Sequence, residues 1–511
     1  MFPSAEQVPE TALGGGSTTG LPVPSARVRS NRGKFRNSLG DPIRTTSCFV
    51  VKPLTMGGMA NIMRLFWLGL IACPLLAQSS SDTLALRGTL IMPDGIVENG
   101  TVLIQQGKIV AAGTKVKVPG NATTIDTHGI IAPGLIDLHN HLTYNVFPRW
   151  RPSEVFGNRY DWQQRPIYNT LVESPHAGMV ADGLECEMER YAEVKALAEG
   201  ETSVVGSLAD ACSQGLAHNL DSEDEWHVAY NVFPLQMTEA ELAPIRQRLA
   251  NHQLNAFLIH LSEGGHQDAS AAREFSMLKG RGLLVPGVAL IHGGGLEPED
   301  FTEMAAHGVN LIWSPRSNLE LYGSTADIVA AKAAHVKIAI APDWSPTGSD
   351  GLLAELNYAA AWNDAQTPHP LTDRELVAMA TTVPAELIGA SGRLGALQPG
   401  HEADLLIIRP EADGAKHDAW WSLTHATAAQ VMLVTVGGEP VYGDPDLLEK
   451  LSPSHPAERL EVCGAGKALL FTGLHGHVDE ADETWAHTTA TLQAALRHYG
   501  RNLAPLAECG Q

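Results

Sequence analysis

Between residues 133 and 392 the sequence keeps alternating between two textures, and that alternation limits the fold more than any other feature. Short apolar runs such as "TSVVGS", "NAFLIHLSEGG", "GVALIHGGG", "VNLIWSP" and "KIAIAPDWS" each follow a stretch with helical character, for example "EMERYAEVKALAEGE" or "TEAELAPIRQRLANHQ". A run of four to six apolar residues with no polar alternation fits a strand buried on both faces. Strands of that kind belong to parallel sheets covered by helices. About 260 residues of such alternation is the usual size of a (β/α)8 barrel. Strands 1, 2, 5, 6, 7 and 8 are legible directly. Strands 3 and 4 fall between Gly215 and Pro234, with "LAHNL" and "HVAYNV" as candidates, and a closing helix is expected from Thr372 to Gly389.

The flanks have a different texture. "LALRGTLIMPDG", "GTVLIQQGKIVAAG" and "ATTIDTHGIIAPG" are β-rich pieces punctuated by Gly and Asn/Asp turns, and the pattern returns in "ADLLIIRP" and "VMLVTVGGEPVYGD". These two groups bracket the barrel and are expected to pair into one small domain built from residues 81–132 and 393–445. Residues 446–511 form a C-terminal extension with a helix in "DETWAHTTATLQAALRHYG" and no assigned role.

In a parallel barrel the reactive groups sit at the C-terminal ends of the strands. The first run ends in His139-Asn140-His141, and the i, i+2 spacing of a strand aims both imidazoles to one side. The fifth ends in His260 with Glu263 three residues on, the sixth in His292 and the eighth in Asp343. Each follows an apolar run and precedes a turn, whereas His307, His335 and His401 lack that context and read as structural or surface residues. Imidazoles and a carboxylate converging at one end of a barrel make a metal site. A bound divalent metal lowers the pKa of a water from 15.7 to about 7. Asp343 can take the released proton, Glu263 in its acid form can protonate a leaving group, and His292 can stabilise developing charge. Arg149, Trp150 and Trp344 are softer candidates for the pocket mouth. Ser317 and Asn318, in "SPRSN", either orient a neighbour or cap a helix, with capping the default for such residues.

The motifs "APGLIDLHNHL", "HLSEG", "LIHGGG", "SPRSN" and "APDWSP", followed by "GRLGALQPGHEADLLII", resemble the amidohydrolase superfamily. Within it they look like the branch of cytosine, guanine and S-adenosylhomocysteine deaminases and triazine chlorohydrolases. The resemblance covers roughly Thr83 to Asp444. It implies an α/β fold, a (β/α)8 TIM-type barrel with a small β-sandwich domain formed from both chain ends. It implies one divalent metal held by His139, His141, His260 and Asp343, zinc first and iron or manganese as alternatives. It gives Glu263 the proton-shuttling role, His292 the polarising role and Asp343 the role of base. Binuclear members use a carboxylated lysine at the end of strand four, and neither "TSVVGS" nor "HVAYNV" contains a lysine, which favours a single ion. The expected reaction is hydrolytic deamination of a small amino-substituted heterocycle or amidine. Amide or cyclic-amide hydrolysis is the runner-up, and a non-catalytic exported binding protein is the rival from another class.

A net charge of −22 and a pI near 5.3 argue against nucleic acid or an anionic membrane surface as a partner, and leave a small-molecule substrate. The six cysteines include no CxxC pair, so neither a thiolate zinc cluster nor a redox motif is indicated. Residues 1–58, rich in Gly, Ser, Pro and Thr, read as disordered and as lying upstream of the true translation start. Residues 59–80 read as an export signal, with Arg64 ahead of an apolar run from Leu65 to Ala77. Cleavage after Ala77 competes with a lipobox reading of "LIAC" that would anchor Cys73 to a membrane. Either route gives an exported protein.

Overall fold

Four strands lead the chain: β1 (Thr83–Met92), β2 (Gly95–Gln105), β3 (Lys108–Gly113) and β4 (Thr123–Pro133). Eight short strands follow: β5 (Leu135–Ile136), β6 (Glu201–Val204), β7 (His218–Asn219), β8 (Val228–Asn231), β9 (Ala256–Leu261), β10 (Val288–His292), β11 (Asn310–Trp313) and β12 (Ile338–Ile340). Five more complete the set: β13 (Leu405–Ile408), β14 (Val431–Val436), β15 (Glu439–Gly443), β16 (Glu458–Val462) and β17 (Ala465–Leu469). The computed structural model describes residues 83–207, 216–222, 225–411, 417–453, 455–471 and 484–509. The chain divides into two units, Met1–Leu76 and Ala77–Gln511, and every described residue belongs to the second. The expected upstream segment, the export signal, Cys73 and Cys212 lie outside the described residues. Among those described, no helix is long and apolar enough to cross a membrane.

The middle eight strands form the barrel. β12-β11-β10-β9-β8 and β5-β6-β7 are parallel ladders, and a parallel bridge between Asn140 and Asp343 joins the first barrel strand to the last. β9 and β10 are buried along their whole length, as their unbroken apolar runs require. "LAHNL" and "HVAYNV" supply β7 and β8. Helices precede the strands as the alternation suggests, among them Glu185–Ala198 before β6, Glu239–Ala250 before β9 and Ala269–Gly280 before β10. Their starts are set locally: Thr238 and Glu241 form a capping box, and the Asp268 carboxylate accepts from the backbone of Ser270 and Ala271. Gly206, just past β6, has φ +108, and a Cβ there would stand 2.0 Å from the Asn140 carbonyl oxygen. Only glycine lets the second barrel strand end against the loop that carries His141.

The closing helix expected from Thr372 to Gly389 is two helices, Asp373–Met379 and Thr382–Leu387. Thr381 leaves the helical region between them, and Pro384 fits because the first turn needs no N–H from it. The interruption exposes the Ala380 carbonyl, which accepts from the backbone of Ile136 and tethers β5.

The outer strands join into one nine-stranded sheet, in the order β16-β17-β15-β14-β13-β4-β1-β2-β3. Strands from both chain ends meet where β4 pairs with β13, and the edge hairpin β16–β17 comes from the C-terminal extension. The extension then returns to the barrel. Its helix Trp485–His498 stacks Trp485 on Tyr191 at 5.3 Å. Ala504 donates its backbone N–H to Val146, and Glu508 pairs with both Arg149 (3.1 Å) and Arg316 (2.6 Å). A Cys463–Cys509 disulfide fastens this tail to the turn between β16 and β17.

Candidate metal centre and active site

The residues after β5 form a tight turn stabilised by its own side chains. Asp137 accepts from the His139 backbone N–H (2.9 Å) and from Asn140 Nδ2 (2.7 Å), while Asn140 Oδ1 accepts from the His141 backbone N–H (2.8 Å). Two backbone hydrogen bonds lock this turn to the end of the eighth barrel strand, Asp343 N–H to His139 O and His141 N–H to Asp343 O. Asp343 Oδ1 then lies 3.2 Å from His139 Nε2 and 3.4 Å from His141 Nε2. Asp343 and His292 both take left-handed backbone conformations, with φ +71 and +72. Such positions cost about 1–3 kcal/mol each for residues with a Cβ. Here they turn both side chains off their strand ends into the common space.

His139, His260 and His292 form one group whose ligand atoms lie within 4.8 Å of one another, and His139, His141 and Asp343 form a second. His139 is common to both. Its Nδ1 hydrogen-bonds Ser314 Oγ at 2.8 Å, which leaves the Nε2 lone pair facing inward. That Nε2 is buried and has no hydrogen-bond partner. Burial lowers the pKa of His139 to about 3 and of His141 to about 4, and drives His260 and His292 down as well. The four rings are therefore neutral at pH 7, as imidazole ligands must be. An orphaned inward lone pair, neutral imidazoles and a carboxylate within reach fit a divalent metal.

Glu263 is 5% exposed and held from several sides. Arg159 Nη1 donates to its Oε2 at 3.2 Å, Tyr322 Oη donates to its Oε1 at 2.7 Å, and His260 Nδ1 lies 3.3 Å from Oε2. Burial pushes its pKa up, but the positive charge His292 carries when protonated, the hydrogen bond from His260 and the Arg159 guanidinium outweigh that and hold it well below the usual carboxylate range. At rest it is ionised, and it must take up a proton before it can deliver one. His292 Nδ1 lies 2.9 Å from Asn318 Oδ1, so that nitrogen carries the hydrogen. Its Nε2, 3.6 Å from Glu263 Oε2, can donate only when the ring is protonated. One proton shared by His292 and Glu263 satisfies both.

Ser317 and Asn318 do not cap a helix. Ser317 Oγ donates to Asp343 Oδ2 at 2.5 Å, and Asn318 orients His292. Trp344 lines the cavity above the site, about 510 Å³ in volume. Arg149 and Trp150 stand behind it. Trp150 packs on Phe156, Trp162 and Tyr168, and Arg149 is bound by Glu320 and Glu508. His401 is buried, with Nε2 on the Ser391 carbonyl, a structural role. Three contributors have no mark in the sequence. Arg159 and Tyr322 reach Glu263 across 104 and 59 residues, and Tyr230, at the end of β8, places Oη 2.8 Å from His260 Nε2.

A profile of the amidohydrolase family matches residues 230–441, which takes in His260, Glu263, His292 and Asp343 but not His139 or His141. A 5-methylthioadenosine/S-adenosylhomocysteine deaminase of Desulforudis audaxviator is 26% identical over 368 residues, covering 64% of this chain and 85% of that protein. Among solved structures, a zinc-bound adenosine deaminase of Xanthomonas campestris superposes with a TM-score of 0.60 at 18% identity, covering 82% of this chain and 98% of that one. The zinc complex of atrazine chlorohydrolase TrzN from Arthrobacter aurescens gives 0.58 at 21% identity, covering 70% and 95%. At these identities the structural likeness establishes the shared TIM-barrel fold. Barrel, site and matches together define a metal-dependent hydrolase. In residues 230–441 the chain matches the amidohydrolase family, and the deaminase relatives support hydrolysis of a carbon–nitrogen bond other than a peptide bond.

Proposed function

We propose that this chain deaminates a small amino-substituted heterocycle or amidine by hydrolysis at a single zinc ion held by His139, His141, His260 and Asp343. The observation that carries the reading is Glu263, a buried carboxylate fixed by Arg159 and Tyr322 beside the histidine cluster. The deaminase names of the sequence relatives and the zinc in the structural neighbours support the same chemistry. Tyr230 stands at the end of the fourth barrel strand and offers no amine for carboxylation, which supports one ion.

Held by these four residues, zinc would supply a water whose pKa is lowered towards about 7. Asp343, oriented by Ser317, accepts the proton that the water releases. Glu263 takes up a proton at Oε2 and delivers it to the ring nitrogen or departing amine. His292, protonated at Nε2 through Glu263 and oriented by Asn318, donates to the oxygen on which charge develops. The proton held by Asp343 passes to the departing amine, so that hydroxyl replaces the amino group and ammonia leaves.

The test is ammonia release from a panel of amino-heterocycles and cyclic amides, with metal content measured on the same sample. Close to one equivalent of zinc with ammonia formed is the expected result. Two equivalents would refute the single ion, and turnover of cyclic amides without ammonia would replace deamination with amide hydrolysis.

Export belongs to this proposal too. The Arg64-led apolar run supports it, and so does the Cys463–Cys509 disulfide, since such bonds persist in oxidising compartments. N-terminal sequencing of the native protein should begin after residue 72; a start before Gly58 would refute it.

A further inference from the structure

The cavity over the metal centre has one end that the chemistry above does not use. Trp162, Tyr168, Trp344 and Tyr144 form a continuous aromatic wall there. Ring centroids lie 4.9 Å apart for Trp162–Tyr168, 5.7 Å for Trp162–Trp344 and 5.4 Å for Tyr144–Trp344. Glu173 lies among them. The Tyr168 hydroxyl donates to its Oε2 at 3.1 Å and the Tyr144 hydroxyl approaches the same oxygen at 3.5 Å. Tyr144 also meets His141 edge-on, so the wall runs up to the ligand set.

The charges in this cavity are of one sign apart from its imidazoles. Its carboxylates are Glu173, Glu263 and Asp343, and no lysine or arginine is among its lining residues. The Arg159 guanidinium beside Glu263 is 3% exposed and already committed to Glu263, to the Val232 carbonyl at 2.6 Å and to the face of Phe233 at 4.3 Å. An anionic tail would find no partner at this end. A neutral hydroxyl could use the carboxylate but would gain nothing from the ring faces. An organic cation gains from both, because ring faces and a carboxylate attract positive charge together. The chain's net charge of −22 favours the approach of the same class.

We infer that the end of the cavity built by Glu173 and its aromatic wall is a subsite for an organic cation, and that the substrate carries a protonated or quaternary amine on the side away from the bond that is broken. This rests on the proposed hydrolysis for its setting, but it is tested by binding alone. The experiment is calorimetric titration of the zinc-loaded full chain with benzyltrimethylammonium and, separately, benzyl alcohol. Wild type should bind the ammonium at least about tenfold more tightly, a difference of about 1.4 kcal/mol. In Glu173→Gln that ratio should fall towards one, and Trp344→Leu should reduce it by a smaller factor. Equal affinities in wild type, or a preference for the alcohol, would overturn the subsite. Absence of ammonia release from every compound tried would refute the deaminase reading and leave the binding ratio to decide the subsite.

Discussion

Ser317→Ala removes a single oxygen and tests whether Asp343 depends on that serine. Ser317 is fully buried, and its hydroxyl donates to Asp343 Oδ2 at 2.5 Å with Thr347 as a further contact at 3.3 Å. A buried hydrogen bond to a charged group contributes about 1.5–3 kcal/mol, or roughly 10- to 150-fold. Partners that orient metal ligands are worth a similar 10- to 100-fold in metal affinity or activity. The variant should fold, because the methyl group left behind fits the same space. It should lose one to two orders of magnitude in zinc affinity, in kcat, or shared between them. The assay pairs competitive zinc titration with kcat at saturating metal. The hydrogen bond also favours the ionised carboxylate, so its loss raises the Asp343 pKa beyond the increase that burial already causes. The acid limb of the rate profile should therefore move to higher pH. Unchanged zinc affinity and kcat would show that Asp343 is positioned by its backbone bonds alone, and the argument for Ser317 would fail.

Arg159→Leu takes away a charge that holds Glu263 ionised, so its pKa rises and, since Glu263 must carry a proton to deliver one, the alkaline limb of kcat/KM should shift upward; an unmoved profile would remove Arg159 from the proton path. Arg159→Lys should lie between, keeping the charge but not the fork-shaped contact. Chelation should abolish turnover and lower the melting temperature, since zinc present at about 100 times its Kd stabilises by about 2.7 kcal/mol; an unchanged melting temperature would place the ion away from the four ligands. Cys509→Ser opens a link between residues 46 apart and should lower stability by roughly 4 kcal/mol on the chain-entropy account, read by denaturant unfolding, with no loss expected if the tail stays docked by Glu508 alone.

Much of the site was legible because its chemistry sits where a strand stops. His139, His141, His260, His292 and Asp343 each follow an apolar run, and the barrel brings those ends together. The groups that adjust them were not legible. Arg159 lies in the long segment after His141, where no periodicity marks it, and its partner is 104 residues away. Tyr230 ends the strand whose sequence pattern is weakest. Ser317 and Asn318 sit in a helix, and local chemistry alone favours a capping role for both. Only the tertiary fold turns them towards Asp343 and His292. The closing helix was misjudged for a related reason: the gap at Ala380–Thr381 serves a tether to β5 that lies outside any local window. The disulfide was beyond reach, since six scattered cysteines allow many pairings.

The tail around Glu508 makes the active site depend on a segment outside the barrel. Glu508 braces Arg149 behind the cavity and Arg316 beside Ser317, and Ala504 holds the end of the turn that follows His141. The ligands come from the barrel strand ends, while the loops around them also rest on a tail fastened by the Cys463–Cys509 disulfide. A fragment ending with the barrel would keep the metal-binding residues and lose the frame that aims them.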